Sequence, residues 1–214
     1  MRNQKTRGNV VVEFALLTAF ILLPMFLFTY GVGFNLLTQL EVVQLTRDAG
    51  HMFVTTQQAF GSTDFNLILE KVGANAGLPG AAQVYFYRVI YVDAATCKSG
   101  QASGPPCANS GAWVIAQFWK DPNGTTPSGF TPLLGVPGAT PVDSAGNFNP
   151  SDYVTLSSLN VNTAFSTLGI VPYALNPTLG LPTGQMVYFV QTATSPFNVA
   201  GVTSMKALSD FACF

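Results

Sequence analysis

The feature that most constrains this chain is an uncharged apolar run near its start. From Phe14 to Phe34 there are 21 residues without a charge, and the run lies inside the longer stretch Gly8 to Gln39. A bilayer core of about 30 Å needs roughly 20 apolar residues in helical form. Leu16, Leu17, Phe20, Ile21, Leu22, Leu23, Met25, Phe26, Leu27 and Phe28 supply that requirement. Pro24 sits mid-span. In water a mid-helix proline costs about 3 kcal/mol, whereas in a membrane helix neighbouring groups re-satisfy the freed carbonyl. Arg2, Lys5 and Arg7 precede Gly8 without any acid, which predicts a cytoplasmic N-terminus and a C-terminal bulk on the other side. A cleaved secretory signal would have a shorter apolar core ending in small residues. This run leads instead into Phe34-Asn35-Leu36-Leu37.

Glu13 is the residue a plain anchor does not explain. A carboxylate at the edge of a span costs up to a few kcal/mol unless it snorkels or is paired. Cleavage after Gly8 would make Asn9 a new N-terminus. Its ammonium would lie four residues, one helical turn, from Glu13. The two charges would neutralise each other in a low-dielectric assembly, within one chain or between staggered chains. A snorkelling carboxylate without a role is the alternative.

Arg7-Gly8, four intervening residues, Glu13-Phe14 and then an apolar helix resemble the cleavage motif of type IV pilins. The Glu-aromatic pairing is similar to the form found in tight-adherence (Tad, or Flp) pili. With Thr46-Arg47-Asp48-Ala49-Gly50 at the far end of the helix, the stretch of roughly residues 7–55 resembles the TadE-like minor pseudopilins, close to the related TadF-like ones. The resemblance implies a pilin-like subunit with a role in pilus assembly and cell adhesion. Gly8 would be the last leader residue, cut by a prepilin peptidase, and Asn9 the mature N-terminus. Glu13 would serve processing and subunit registration, and Phe14 would be the aromatic that follows it. Other pilin or pseudopilin subunits and the Tad membrane platform would be the partners. Asn9 departs from the apolar first residue of many type IV pilins. The C-terminal region lies outside the resemblance.

The expected organisation is a cytoplasmic leader over 1–8, an N-terminal helix over 9–60 that spans the membrane at about 14–34, and an extracytoplasmic head over 61–214. Beyond the span, Leu36, Leu40 and Val43 form one helical stripe and Val42, Leu45, Ala49 and Met52 another, a pattern for a helix covered on two sides. Phe65–Ala76 reads as a short helix, ended by Gly77-Leu78-Pro79-Gly80. Ala81–Asp93, Gly111–Lys120, Gln185–Ala193 and Met205–Phe214 read as strands, Tyr153–Leu159 as a further strand, and Asn162–Leu168 as a short helix. Asp121–Ser151 reads as a surface excursion with few core candidates. The fold class is α+β: a long N-terminal helix packed against an antiparallel sheet of three to five strands.

Charged residues are 9% of the chain, against about 25% in an average soluble protein. The net charge of −1 gives no basic surface for nucleic acid. Of the three cysteines, Cys97 and Cys107 enclose a short Gly/Pro/Ser segment and are the expected disulfide, leaving Cys213. Such a closure is worth about 2–3 kcal/mol. With one histidine, His51, and few acids, acid–base catalysis has little to work with. No nucleotide, serine-hydrolase or other cofactor motif is present. Asp143, Asn147, Asn149 and Asp152 share a loop, and turn chemistry explains them better than calcium. The expectation is a non-enzymatic membrane protein with no catalytic residue, cofactor or metal. The alternative is a single-span anchored domain that binds a ligand or polysaccharide through exposed aromatics. Trp113 and Trp119, six residues apart on one strand, are expected on one face, more often core than a sugar platform.

Overall fold

The computed structural model describes residues 4–56, 82–100, 106–121, 124–138, 142–169, 186–194 and 209–213. Helix α1 runs unbroken over Gln4–Thr56 and includes Pro24. Among the described residues, four strands form one antiparallel sheet in the order β2-β1-β3-β4: β1 (Ala82–Val92), β2 (Ala112–Lys120), β3 (Met186–Thr194) and β4 (Ser209–Cys213). The architecture is α+β. The helix expected over 65–76 lies outside the described residues, as does the start of the last expected strand.

One face of the sheet receives α1. Val84 and Phe86 alternate on β1 with Tyr85, Tyr87 and Val89, as strand pleating requires, and the first pair meets Ala49 and Phe53 of the helix together with Val190. Of the two apolar stripes on α1, the head covers one: Val42, Leu45 and Ala49 are buried and Met52 half-buried, with Phe53 buried beside them. Thr46 lies among them, its hydroxyl satisfied by the Val42 carbonyl at 2.8 Å. Leu36 and Leu40 of the other stripe stay exposed and Val43 is half-buried.

The opposite face carries the larger core, built from Tyr85, Tyr87, Val89, Trp113, Ile115 and Phe189 of the sheet and capped by Leu134, Phe148, Val154, Leu159 and Phe165. Its covering layer is made of α2 (Ala94–Gly100), α3 (Pro150–Thr155), a 3-10 turn (Ser157–Leu159) and α4 (Asn162–Thr167). The helix expected at 162–168 is present. The strand expected at Tyr153–Leu159 is not: this segment belongs to α3 and the 3-10 turn. Pro150 explains the difference, because its fixed φ suits the first helical turn. The buried Asn109 amide then donates to the Tyr153 and Leu156 carbonyls at 2.9 and 2.8 Å, satisfying groups a strand ladder would otherwise need.

The long β1–β2 connection also contains a helix. Asp93 opens α2 by accepting hydrogen bonds from the Thr96 amide and hydroxyl, both at 2.7 Å, the chemistry of an N-cap. Cys97 and Cys107 are joined by a disulfide across this connection.

The excursion over 121–151 contributes more to the core than its composition predicts. Leu134 and Phe148 are both buried. Polar side chains of the sheet hold the segment down: Tyr85 Oη meets Thr126 Oγ1 at 3.0 Å, Tyr87 Oη donates to the Gly135 carbonyl at 2.8 Å, and Gln191 Oε1 accepts from the Leu133 amide at 2.9 Å. Burial raises the Tyr87 phenol well above its usual range, with Tyr85 adding to the effect. Residues 142–148 then run beside the edge of β2, with Phe118 N–H donating to the Gly146 carbonyl and Phe148 N–H to Ala116. Gly146 has φ +77°, and a Cβ there would collide with the Phe118 carbonyl, so only glycine fits without a shift.

Candidate functional site

Gly8, Asn9, Glu13 and Phe14 all lie on continuous helix. Asn9 and Glu13 are therefore one turn apart along the backbone. Glu13 is exposed, and Phe14 beside it is 73% exposed. The same holds for the large apolar side chains that follow. Val10, Val11, Val12, Leu16, Leu17, Phe20 and most of the others as far as Leu40 are exposed, with Phe34 half-buried. The helix is long and apolar enough to cross a membrane, and none of its most apolar window is buried. In water this surface would be untenable, since contiguous apolar patches beyond a few hundred Å² mark membrane or protein contact. This surface is consistent with a single-pass membrane protein whose helix meets lipid.

The other candidate residues disperse. His51 is exposed on α1. Asp143 Oδ1 accepts from the Ala145 and Asn147 amides at 2.9 and 2.8 Å, and its Oδ2 from the Asn147 side chain at 2.9 Å. These bonds, the Asn147 amide side chain first, hold the Asp143 carboxyl below its usual range. They are the turn chemistry of an aspartate closing its own loop. Among the described residues no group of three His, Cys, Asp or Glu side chains is placed to hold a metal. Cys213 falls opposite Phe189 in the β3–β4 register.

The two tryptophans are separated by the sheet. Arg88 pairs with Gln117 but Val89 pairs with Ile115, so Ala116 is an extra residue, a β-bulge, on β2. A bulge puts two residues of one strand opposite one of the other, and every side chain beyond it changes face. Trp113 is therefore buried in the large core against Phe165, while Trp119 packs beside Phe86 on the helix face. The single aromatic face expected from their spacing does not form.

The residues that sequence reasoning passed over are Asn109, Gln191 and the pair Leu133–Leu134, whose roles depend on long-range contacts that no local pattern signals. No protein-family model, curated protein or solved structure matches the chain.

Proposed function

We propose that the chain is a pilin-like structural subunit, similar in role to the minor pseudopilins of Tad-type pili. A prepilin peptidase removes residues 1–8 on the cytoplasmic side. The mature chain is held, and then assembled with other pilin or pseudopilin subunits at the Tad membrane platform, through α1. The observation that carries this reading is an exposed carboxylate, Glu13, at the entrance of a helix whose apolar surface the chain's own head leaves bare from Val10 to Leu40.

An anchor alone gains nothing from Glu13, because a carboxylate at that depth costs up to a few kcal/mol. A free Asn9 ammonium one turn away offsets this cost. In a bundle of staggered helices the same pairing fixes the register of one subunit on the next. The head, with its charge-poor surface and disulfide, suits a structural role outside the cytoplasm. Replacement of Glu13 by Leu tests the pairing. Membrane insertion is expected to be unchanged while piliation falls. Normal piliation by the Glu13→Leu chain would remove the assembly role.

A further inference from the structure

The uncharged stretch of α1 does not end at Phe34. It continues to Leu40, bracketed by Glu13 and Glu41, so that 27 residues separate the two acids. At 1.5 Å per residue they extend about 40 Å. A bilayer offers about 30 Å of hydrocarbon and roughly 40–45 Å including both headgroup layers. At an ordinary tilt of about 20°, a helix entering at Glu13 reaches the far headgroup layer at Leu36 to Leu40. The head begins to bury the helix at Val42, two residues later.

The sides of the helix agree with this depth. Leu36, Leu37 and Leu40 are 56%, 59% and 65% exposed. By helical geometry they fall within about 100° of one another and roughly opposite the stripe of Val42, Leu45 and Ala49 that the head covers. Above them on the same side the exposed residues turn polar: Gln44, Arg47, Asp48 and His51. The apolar sector thus stops where a membrane boundary would stop it, and it is continuous with the surface that meets lipid below.

We propose that Leu36, Leu37 and Leu40 insert into the headgroup–acyl boundary of the leaflet nearer the head. The head is thereby seated on the membrane surface, with no free helical stalk between. The occupant of this sector is lipid. The proposal depends on α1 crossing a bilayer and not on cleavage after Gly8.

Nitroxide labels report the depth. Single cysteines are placed by Phe26→Cys, Leu36→Cys, Leu40→Cys and Gln44→Cys in a full-length Cys213→Ser chain with the disulfide intact, in palmitoyl-oleoyl phosphatidylcholine nanodiscs. Collision with oxygen is compared with collision with a water-soluble nickel chelate. The expected oxygen-to-nickel ratio at Leu36 and Leu40 is several-fold above that at Gln44 and below that at Phe26. A ratio at Leu40 equal to that at Gln44, with Phe26 in lipid, overturns the seated head alone. A water-like ratio at Phe26 overturns the membrane span itself. Labels at Leu40 shielded from both reagents and dipolar-coupled between chains would show a second copy on this sector, and would also overturn the proposal.

Discussion

The ring of Phe53, on the last turns of α1, meets Phe86 of β1 edge-on, with centroids 5.2 Å apart and planes at 71°. Tyr188 of β3 presents a second edge contact at 4.9 Å. Phe53 therefore bridges two adjacent strands and ties α1 to the sheet. Aromatic pairs in this geometry are worth about 0.5–1.5 kcal/mol beyond the area they bury. Among the described residues Phe53 is the largest side chain that α1 puts into the helix-face cluster, so it carries a substantial share of the docking energy. Phe53→Ala is expected to cost about 3–5 kcal/mol and to expose the helix–sheet junction to protease in detergent micelles. Leu40→Ala, at an exposed position, is expected to change stability by no more than about 0.5 kcal/mol.

Asn109 is buried to 1% exposure and its side-chain amide spans two carbonyls of the α3 region. Its own backbone carbonyl accepts from Ala112 at the start of β2. Removing the side chain leaves the Tyr153 and Leu156 carbonyls without those donors in a buried place, at about 1–3 kcal/mol. Asn109→Ala is expected to lower the denaturant midpoint accordingly, with hydrogen exchange rising first over 150–159. Asn109→Asp, which cannot donate, is expected to be at least as destabilising.

Asp93 gives the head an acid limit. The Thr96 amide, then the Thr96 hydroxyl, hold its carboxyl below the usual aspartate value. A depressed carboxylate contributes stability that is present above its unfolded pKa of about 3.9 and is lost as pH falls through the folded value. Asp93→Ala is expected to cost about 1 kcal/mol at neutral pH, as for other N-caps. The difference between the two chains is expected to shrink below about pH 4. Unfolding curves at pH 7, 5 and 3 check the sign; a difference that grows on acidification would contradict it.

The tryptophans give a direct optical check on the bulge. Trp113 is 1% exposed whereas Trp119 is half-buried beside α1. In the intact protein, acrylamide is expected to quench one component of the emission, and Trp119→Phe to remove it. Equal quenching of Trp119→Phe and Trp113→Phe chains would place both residues in one environment, against the register of β1 and β2.

The same bulge shows where the sequence stops being legible. Runs of aromatic and β-branched residues over 82–92 and 186–194 mark strands packed on both faces, and the uncharged apolar run marks the helix. Ala116 interrupts β2 with an ordinary residue, so nothing in GAWVIAQFWK announces the inversion of Trp113 relative to Trp119. Tyr153–Leu159 is apolar enough for a strand, but the buried amide of Asn109 comes from more than forty residues away. Leu134 and Phe148 enter the core because polar side chains of the sheet hold their loops down, a tertiary effect that loop composition hides. The candidate site was legible as a spacing, Gly8 to Glu13, and the structure adds that this stretch is helical and that Val10 to Glu13 are exposed.

The proposal of a processed and assembled subunit turns on where the mature chain starts. Intact-mass measurement of membrane-extracted protein, from cells with and without an active prepilin peptidase, reads that position directly. Processing after Gly8 gives a chain beginning at Asn9 when the peptidase is active and at Met1 when it is absent. A chain beginning at Met1 in both would contradict it.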